Sequence, residues 1–280
     1  MTGPRILFST GSLYVFDVAY CFELAASAGY DGIEVMCDER YSTRDPAYLK
    51  RLSKEFDLPV LVAHTPFSPR TPGWKADHNE IRRVEYTLEL AQAIGAETIV
   101  VHLPRKRGGL TLSVDGRQFR LPWRKIVNPV KSWIERDLPG IQERSKVKIA
   151  LENMPVNRVG GVLIDNTWWN DVESWSRSHR YLTLDTTHWA TMRVDPLDAY
   201  QAARERVCHI HLSNYDGREH RLPHRGSLNL KKLLRALHAD GYNGTISLEL
   251  SPGALAFKEA ATLRRNLGDS LKFCRDNLSV

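Results

Sequence analysis

Eight short runs rich in Val, Ile and Leu recur along the 280 residues, and stretches with helical periodicity separate them. The apolar runs lie at 5–9, 31–36, 59–64, 97–103, 147–153, 181–185, 207–212 and 245–250. The clearest helical stretches, with apolar residues three or four positions apart, lie at 80–94, 130–144, 230–240 and 259–277. Strands that alternate with helices form parallel βαβ units, and eight such units in this length predict an α/β fold, a single-domain (β/α)8 TIM barrel over 1–280.

Ionisable residues alternate with aliphatic ones inside these strands. Side chains on a strand point alternately to opposite faces, so one face packs under the helices and the other points into the barrel. In the seventh strand, for example, Ile210 and Leu212 alternate with His209 and His211. Seven strands carry an ionisable residue on the inward face near the carboxyl end, where barrel enzymes place their catalytic residues. These residues are Glu34, His64, His102, Glu152, Asp185, His211 and Glu249.

A metal ion would explain so many inward-facing ionisable groups. Each group taken alone has a simpler interpretation, as a buried polar residue with its own hydrogen-bond partner. Together they do not, because a buried charge without a partner costs roughly several kcal/mol. Three carboxylates and one imidazole suit Mn²⁺, Co²⁺, Mg²⁺ or Zn²⁺. We expect this set to consist of Glu152, Asp185, His211 and Glu249.

Composition excludes several classes of protein. The 42% hydrophobic and 26% charged residues are typical of a globular chain and exclude a disordered one. No apolar stretch approaches the roughly 20 residues of a membrane helix, no signal-peptide core precedes a cleavage site, and the four cysteines form no C-x-x-C pair. We therefore expect a cytoplasmic protein. No G-x-G-x-x-G follows the first strand, which argues against a nucleotide cofactor.

Six motifs at the strand ends carry a resemblance to a known superfamily. They are HTPF (64–67), VVHLP (100–104), ALENMP (150–155), LDTTH (184–188), HIHLSN (209–214) and SLELS (247–251). Together they resemble the xylose isomerase-like TIM barrels over nearly the whole chain. That superfamily includes sugar and sugar-phosphate isomerases and epimerases, inosose dehydratases and endonuclease IV-type apurinic endonucleases. The resemblance implies the fold and a metal site but no single activity.

The epimerases of this superfamily supply the first functional hypothesis. Their single metal ion is held by residues that match Glu152, Asp185, His211 and Glu249. The resemblance implies that Glu152 and Glu249 also act as acid and base on the two faces of an enediolate. His188 and, more loosely, Arg218 match substrate-binding positions of this group. We place His220, Trp168 and Glu34 on the substrate side as well. Glu34 has a second interpretation, as a carboxylate that orients a metal ligand.

Endonuclease IV-type enzymes supply the alternative. In that group, residues matching His64 and His102 hold another metal ion together with the residue matching Glu152. A further ion is held by a histidine, matched by His188, and by an Asp-x-His pair. Here His220 fits the pair, but Arg218 fills the aspartate position. The departure argues against that further ion and leaves a two-metal site open.

Two loops on the predicted catalytic face are longer than ordinary connections. The first, 104–128 after the fourth strand, predicts a β-hairpin insertion because alternating residues flank Asp115-Gly116, a strong two-residue turn. The second, the rim loop 155–171, contains Trp168 and Trp169. Stacking on a sugar or a base is the functional interpretation of this pair, and packing against the hairpin or the next helix is the structural one.

The net charge of +6 comes from the first of these loops. Residues 104–125 carry seven basic residues and one acidic residue, so the rest of the chain sums to zero. A basic loop beside a metal site suits a phosphate- or carboxylate-bearing substrate. This distribution argues against a generally basic surface that binds nucleic acid, but the loop could still bind a DNA backbone locally. The hairpin could instead be an interface in a homo-oligomer.

The first hypothesis is therefore a divalent-metal-dependent sugar or sugar-phosphate isomerase or epimerase that acts on a small molecule and contacts no membrane. The alternatives are an endonuclease IV-like zinc phosphodiesterase acting on abasic DNA, and a metal-dependent dehydratase or hydrolase of a cyclitol or another polar metabolite.

Overall fold

Eight parallel strands close into a barrel. The computed structural model describes residues 3–68, 71–74, 79–114, 117–125, 128–159 and 162–279. The barrel strands, first to eighth, are Arg5–Ser9, Gly32–Met36, Val60–His64, Thr98–His102, Lys148–Glu152, Leu182–Asp185, Val207–Leu212 and Thr245–Leu248. Each pairs with its neighbours in chain order, and the first pairs in parallel with the eighth. The predicted TIM barrel is confirmed.

Helices surround the barrel. They span Val18–Ala28, Pro46–Glu55, Glu80–Ile94, Pro129–Arg136, Leu138–Arg144, Val172–Ser178, Thr186–Thr191, Pro196–Ala203, Leu230–Ala239 and Ala260–Leu278. Short 3-10 turns at Thr10–Leu13 and Tyr41–Arg44 follow the first two strands. Glycine ends two of these helices, since Gly29 and Gly95 take φ angles of 87° and 80°. In this left-handed region glycine is free of the steric penalty that other residues meet.

The helical stretch predicted at 130–144 is two helices, so the prediction of one continuous helix is wrong. The break falls at Asp137, between Pro129–Arg136 and Leu138–Arg144. Pro139 explains the break, because a proline inside a longer helix removes one hydrogen bond and clashes with the preceding turn. In the first turn of a new helix its missing N–H has no consequence.

Apolar residues fill both sides of the barrel wall. On the outer side, Ile33, Ile99 and Leu184 are fully buried under the helices. A smaller cluster fills the inside of the barrel, and it consists of Leu7, Leu61, Val62 and Val100. Val62 and Val100 lie two residues before His64 and His102, so they share the inward face one layer deeper. The polar residues of the barrel interior therefore rest on an apolar floor.

Two strand pairs lie outside the barrel, in the two long loops. Arg107–Val114 pairs antiparallel with Arg117–Lys125 after the fourth barrel strand. Asn157–Val159 pairs antiparallel with Val162–Ile164 after the fifth. The predicted turn at 115–116 lies outside the described residues. Both loops follow strands and therefore emerge on the carboxyl face of the barrel. No helix in the described part of the chain is long and apolar enough to cross a membrane.

Candidate metal centre

The four predicted metal ligands converge at the carboxyl ends of the last four barrel strands. Their centre is His211 Nδ1, which lies 2.8 Å from Glu152 Oε1 and 3.0 Å from Glu249 Oε2. Asp185 Oδ2 lies 3.8 Å from the same nitrogen. One ligand atom from each of the four residues lies within 4.8 Å of the others, so a single ion could contact all four.

Two buried carboxylate oxygens around this centre have no hydrogen-bond partner among the described residues. They are Asp185 Oδ2 and Glu219 Oε1. The other oxygen of Asp185 accepts three hydrogen bonds, from the hydroxyl and backbone N–H of Thr187 and the backbone N–H of His188. A buried carboxylate oxygen without a partner is destabilising, and a cation would supply the missing partner. The residues present therefore fit a divalent metal ion.

The charges in the centre depend on one another. Burial acts to raise the pKa of Glu152, but the charge of His211 and hydrogen bonds from the surrounding imidazoles hold that pKa well below its usual range. Burial likewise opposes a charged His211, but the three carboxylates around it raise the pKa of its imidazole well above the usual value. Negative charge thus dominates the surroundings of His211 Nδ1, which is the electrostatic environment that a divalent cation requires.

Glu34 lies behind His211 and is fully buried. Its Oε1 is 3.0 Å from His211 Nε2, and its Oε2 is 3.2 Å from His209 Nε2. On the far side, His209 Nδ1 is 2.7 Å from Thr245 Oγ1. Because Glu34 accepts hydrogen bonds from both rings, Nε2 of His211 carries a hydrogen and Nδ1 faces the other three ligands. This placement favours the interpretation of Glu34 as a carboxylate that orients a ligand, and it leaves neither oxygen for a substrate.

His64 and His102 form a second group with Glu152. Each Nε2 lies 3.3 Å from Glu152 Oε2, and the three residues offer ligand atoms within 4.8 Å of one another. Burial lowers the pKa of His102 to about 4, so the ring is neutral near pH 7 and can act as a ligand. Phe67 covers both rings, with centroid distances of 5.2 Å to His64 and 4.5 Å to His102. The structure thus brings the expected second-metal residues together.

A third group contains Glu219, a residue that the sequence reasoning did not single out. Glu219 Oε1 lies 3.7 Å from His188 Nε2, and both residues lie with His220 close enough to hold a cation. Arg218 points elsewhere, since its side chain is 73% exposed and lies 3.3 Å from Asp216. The sequence offered one indication of Glu219, because this carboxylate follows directly after Arg218, which fills the aspartate position of the expected Asp-x-His pair. Arg218, predicted as a substrate-binding residue, thus pairs with Asp216 at the surface.

Trp168 contacts its neighbouring helix. Lys131 Nζ, on the helix Pro129–Arg136, lies 5.1 Å from the Trp168 ring and 5.4 Å from the Trp169 ring. The backbone N–H of Trp168 donates to Pro104 O at the base of the insertion. These contacts favour the packing interpretation of the Trp pair over substrate stacking. The structure does not describe the side chains at 109–127, which include most of the basic residues of the first loop.

Comparisons with known proteins agree with this fold. A family model described as a xylose isomerase-like TIM barrel matches residues 22–267. An uncharacterised protein of Mycobacterium bovis is 27% identical over 98% of both chains. The structure of a 3-keto-D-glucoside 4-epimerase from E. coli has a TM-score of 0.68 and 20% identity, over 98% of this chain and 99% of the other. An AP endonuclease of family 2 from Brucella melitensis has a TM-score of 0.61 and 18% identity, over 91% and 97%.

Proposed function

The chain belongs to the xylose isomerase-like TIM-barrel family, and we propose that it is a divalent-metal-dependent sugar isomerase or epimerase. One observation carries the proposal, namely that four ligand atoms converge and the buried Asp185 Oδ2 among them has no described partner. The epimerase of similar fold supports it in general terms.

Two carboxylates of the centre are placed to move a proton. When bound, a divalent ion would polarise a sugar carbonyl and its neighbouring hydroxyl and so acidify the C–H between them. Glu152 and Glu249 stand at the two ends of the arc formed by the last four strands. The Glu249 side chain is 13% exposed and that of Glu152 only 1%. We assign Glu249 to the open face of the substrate and Glu152 to the enclosed face, so that one removes the proton and the other returns it.

His188 is placed to hold the substrate beside these carboxylates. Its Nδ1 lies 2.7 Å from the backbone oxygen of Asn153, which fixes the ring as a donor there. Its Nε2 then points towards Glu219 and Asp185, at 3.7 Å and 3.8 Å. A sugar hydroxyl between these groups could donate its hydrogen to one of the carboxylates and accept a hydrogen bond from a protonated Nε2 of His188. We propose this role for His188, with Glu219 as its partner.

The test is turnover of a sugar panel in D₂O by protein loaded with Mn²⁺, Co²⁺, Mg²⁺ or Zn²⁺. Ketoses, aldoses and their phosphates are incubated, and mass spectrometry detects deuterium at the reacting carbon. Glu152→Gln and Glu249→Gln should each lower turnover by at least about 100-fold, because each removes one acid–base group. Glu97→Gln is the matched control, since Glu97 pairs with Arg5 at 2.6 Å at the opposite end of the barrel. Full activity in Glu249→Gln would refute the two-carboxylate mechanism.

A two-metal hydrolase is the second candidate, and the group of His64, His102 and Glu152 supports it. Glu152 belongs to both groups of candidate ligands, and two ions held there would stabilise the attacking and leaving oxygens of a phosphodiester. Elemental analysis separates the candidates, because the epimerase needs one ion per chain and the hydrolase two. Cleavage of abasic duplex DNA by the zinc-loaded protein would favour the hydrolase, and its absence alongside sugar turnover would exclude it.

A further inference from the structure

Exposed apolar side chains gather on the catalytic face. Among the described residues, the large apolar side chains that are exposed are Tyr14, Val15, Tyr41, Phe67, Val162 and Leu163. Each lies in a loop that follows a barrel strand, so each is at the carboxyl end of the barrel. Single exposed apolar residues are ordinary, so those that share a cavity are the ones that indicate a binding surface.

Two of these residues line a cavity that leads to the metal centre. Tyr14 and Phe67, 60% and 59% exposed, face a space of about 600 Å³ that reaches Glu249 and His220. Because Phe67 rests on the rings of the two histidines beneath it, its position is fixed while most of its surface stays open. A cavity of this size accommodates a drug-sized molecule, which is larger than a single sugar ring.

The charges around the cavity do not suit an anion. Arg40, the arginine among its described lining residues, donates to both oxygens of Asp38. The same guanidinium donates to the backbone oxygens of Phe16 and Thr10, so its charge and donors are engaged. Glu39 and Glu249 add negative charge to the lining. With an ion bound at Glu249, a phosphate at this position would still face the carboxylate of Glu39, and the guanidinium of Arg40 in the described lining is already paired with Asp38.

We propose that this cavity binds an apolar, uncharged group attached to the substrate sugar, as in an aryl or alkyl glycoside. The sugar ring lies over the metal centre, and its substituent lies against Tyr14 and Phe67. The inference rests on the proposed function, because it assumes that a sugar binds at the metal centre. It concerns Tyr14 and Phe67, which are not part of the proton-transfer pair. It differs from the sequence-based expectation of an anionic substrate, which rests mainly on basic residues at 109–127, whose side chains the structure does not describe.

The test compares matched ligands in calorimetric titrations of the metal-loaded protein. The probes are glucose, galactose and mannose, their 4-nitrophenyl glycosides and their 6-phosphates. We expect at least one aryl glycoside to bind about 10-fold or more tightly than its free sugar, because aromatic stacking adds to the contacts of the ring. The 6-phosphate of that sugar should bind no more tightly than the free sugar.

Three variants locate the effect. Tyr14→Ala and Phe67→Ala should each reduce the advantage of the aryl group by about fivefold or more, because each removes an aromatic contact. Val162→Ala is the matched control, since Val162 is 65% exposed on the same face but lies outside the cavity lining. It should leave the advantage unchanged. Thermal unfolding of each variant confirms that the fold is retained.

Several results would overturn the inference. These are an equal or tighter affinity for a sugar phosphate, no gain from any aryl group, or an equal effect of all three substitutions. Sedimentation provides another, because a Tyr14 or Phe67 substitution that dissociates a dimer and leaves glycoside affinity unchanged would assign the patch to contacts between copies. An aryl gain without turnover of any sugar would refute the proposed function and leave the inference standing. Turnover of a sugar without an aryl gain would refute the inference and leave the proposed function standing.

Discussion

Glu34→Gln tests directly how the barrel orients its metal ligand. Both oxygens of Glu34 accept from imidazole Nε2 atoms, at 3.0 Å from His211 and 3.2 Å from His209. Glutamine keeps the shape of the side chain but offers one acceptor oxygen and one NH₂ donor. Two imidazole donors then compete for a single acceptor. Whenever the NH₂ group faces His211, the ring must carry its hydrogen on Nδ1, the atom that faces the other ligands.

The size of the effect follows from these contacts. A charged acceptor forms a hydrogen bond about twice as strong as a neutral one, so the variant weakens the contact that fixes His211 even in its better orientation. Changes to the carboxylate behind a metal-binding histidine reduce metal affinity by about 10- to 100-fold, or about 1.4–2.7 kcal/mol. We expect the dissociation constants of Co²⁺ and Zn²⁺, measured by competition with a chromophoric chelator, to rise by this factor.

Thr245→Val is the control for this substitution. It removes the hydroxyl 2.7 Å from His209 Nδ1 but keeps Glu34 paired with His211. Its dissociation constants should stay near those of the unchanged protein, and urea unfolding of the metal-free variants should show that both fold. The reasoning about Glu34 is wrong if a folded Glu34→Gln protein binds Co²⁺ within about twofold of the unchanged protein. It is also wrong if Thr245→Val weakens binding equally.

Other contacts lead to further expectations. A metal ion at 100 times its dissociation constant should stabilise the fold by about 2.7 kcal/mol, which raises the melting temperature of a chain of this length by roughly 5 °C. Asp185→Asn should remove this rise. Elemental analysis should find one ion per chain in both the unchanged protein and His102→Ala. A fall from two ions in the unchanged protein to one in the variant would support the hydrolase. Gly226→Ala should destabilise the chain by about 2 kcal/mol or more in urea unfolding. A Cβ there collides with Asn214 Oδ1 and lies 2.7 Å from the Tyr215 oxygen, at a φ of 157°.

The residues inside the barrel could be predicted because they obey local rules. A strand has a period of two, so the aliphatic pattern of each apolar run fixes which of its polar residues point inward. Parallel pairing then sets polar residues of neighbouring strands side by side. His102 is in register with Glu152, and Asp185 with His211. The convergence of the four predicted ligands follows from these two rules and the closure of the sheet.

The loop residues follow no such rule. The expected acid position is filled by Arg218, whose side chain pairs with Asp216, while Glu219 approaches His188. The following residue, His220, has a φ of 59°, in the left-handed region that non-glycine residues seldom adopt. Such a residue reverses the local course of the chain and so decides which neighbours face inward. Histidine adopts this conformation more often than most residues but still seldom, so the sequence could not assign the role of Glu219.

Electrostatics links the depth of the barrel to its opening. Imidazoles meet the carboxylates from below, as His209 does for Glu34 and His64 for Glu152. The upper side of the centre is open to a cation. The apolar floor beneath excludes water, and in this environment charge interactions are stronger and less screened by salt. The described lining of the opening is also negative, through Glu39 and Glu249. The same negative charge would attract a metal ion, and after the ion compensates Glu249, the carboxylate of Glu39 would still disfavour an anionic group at this side of the opening.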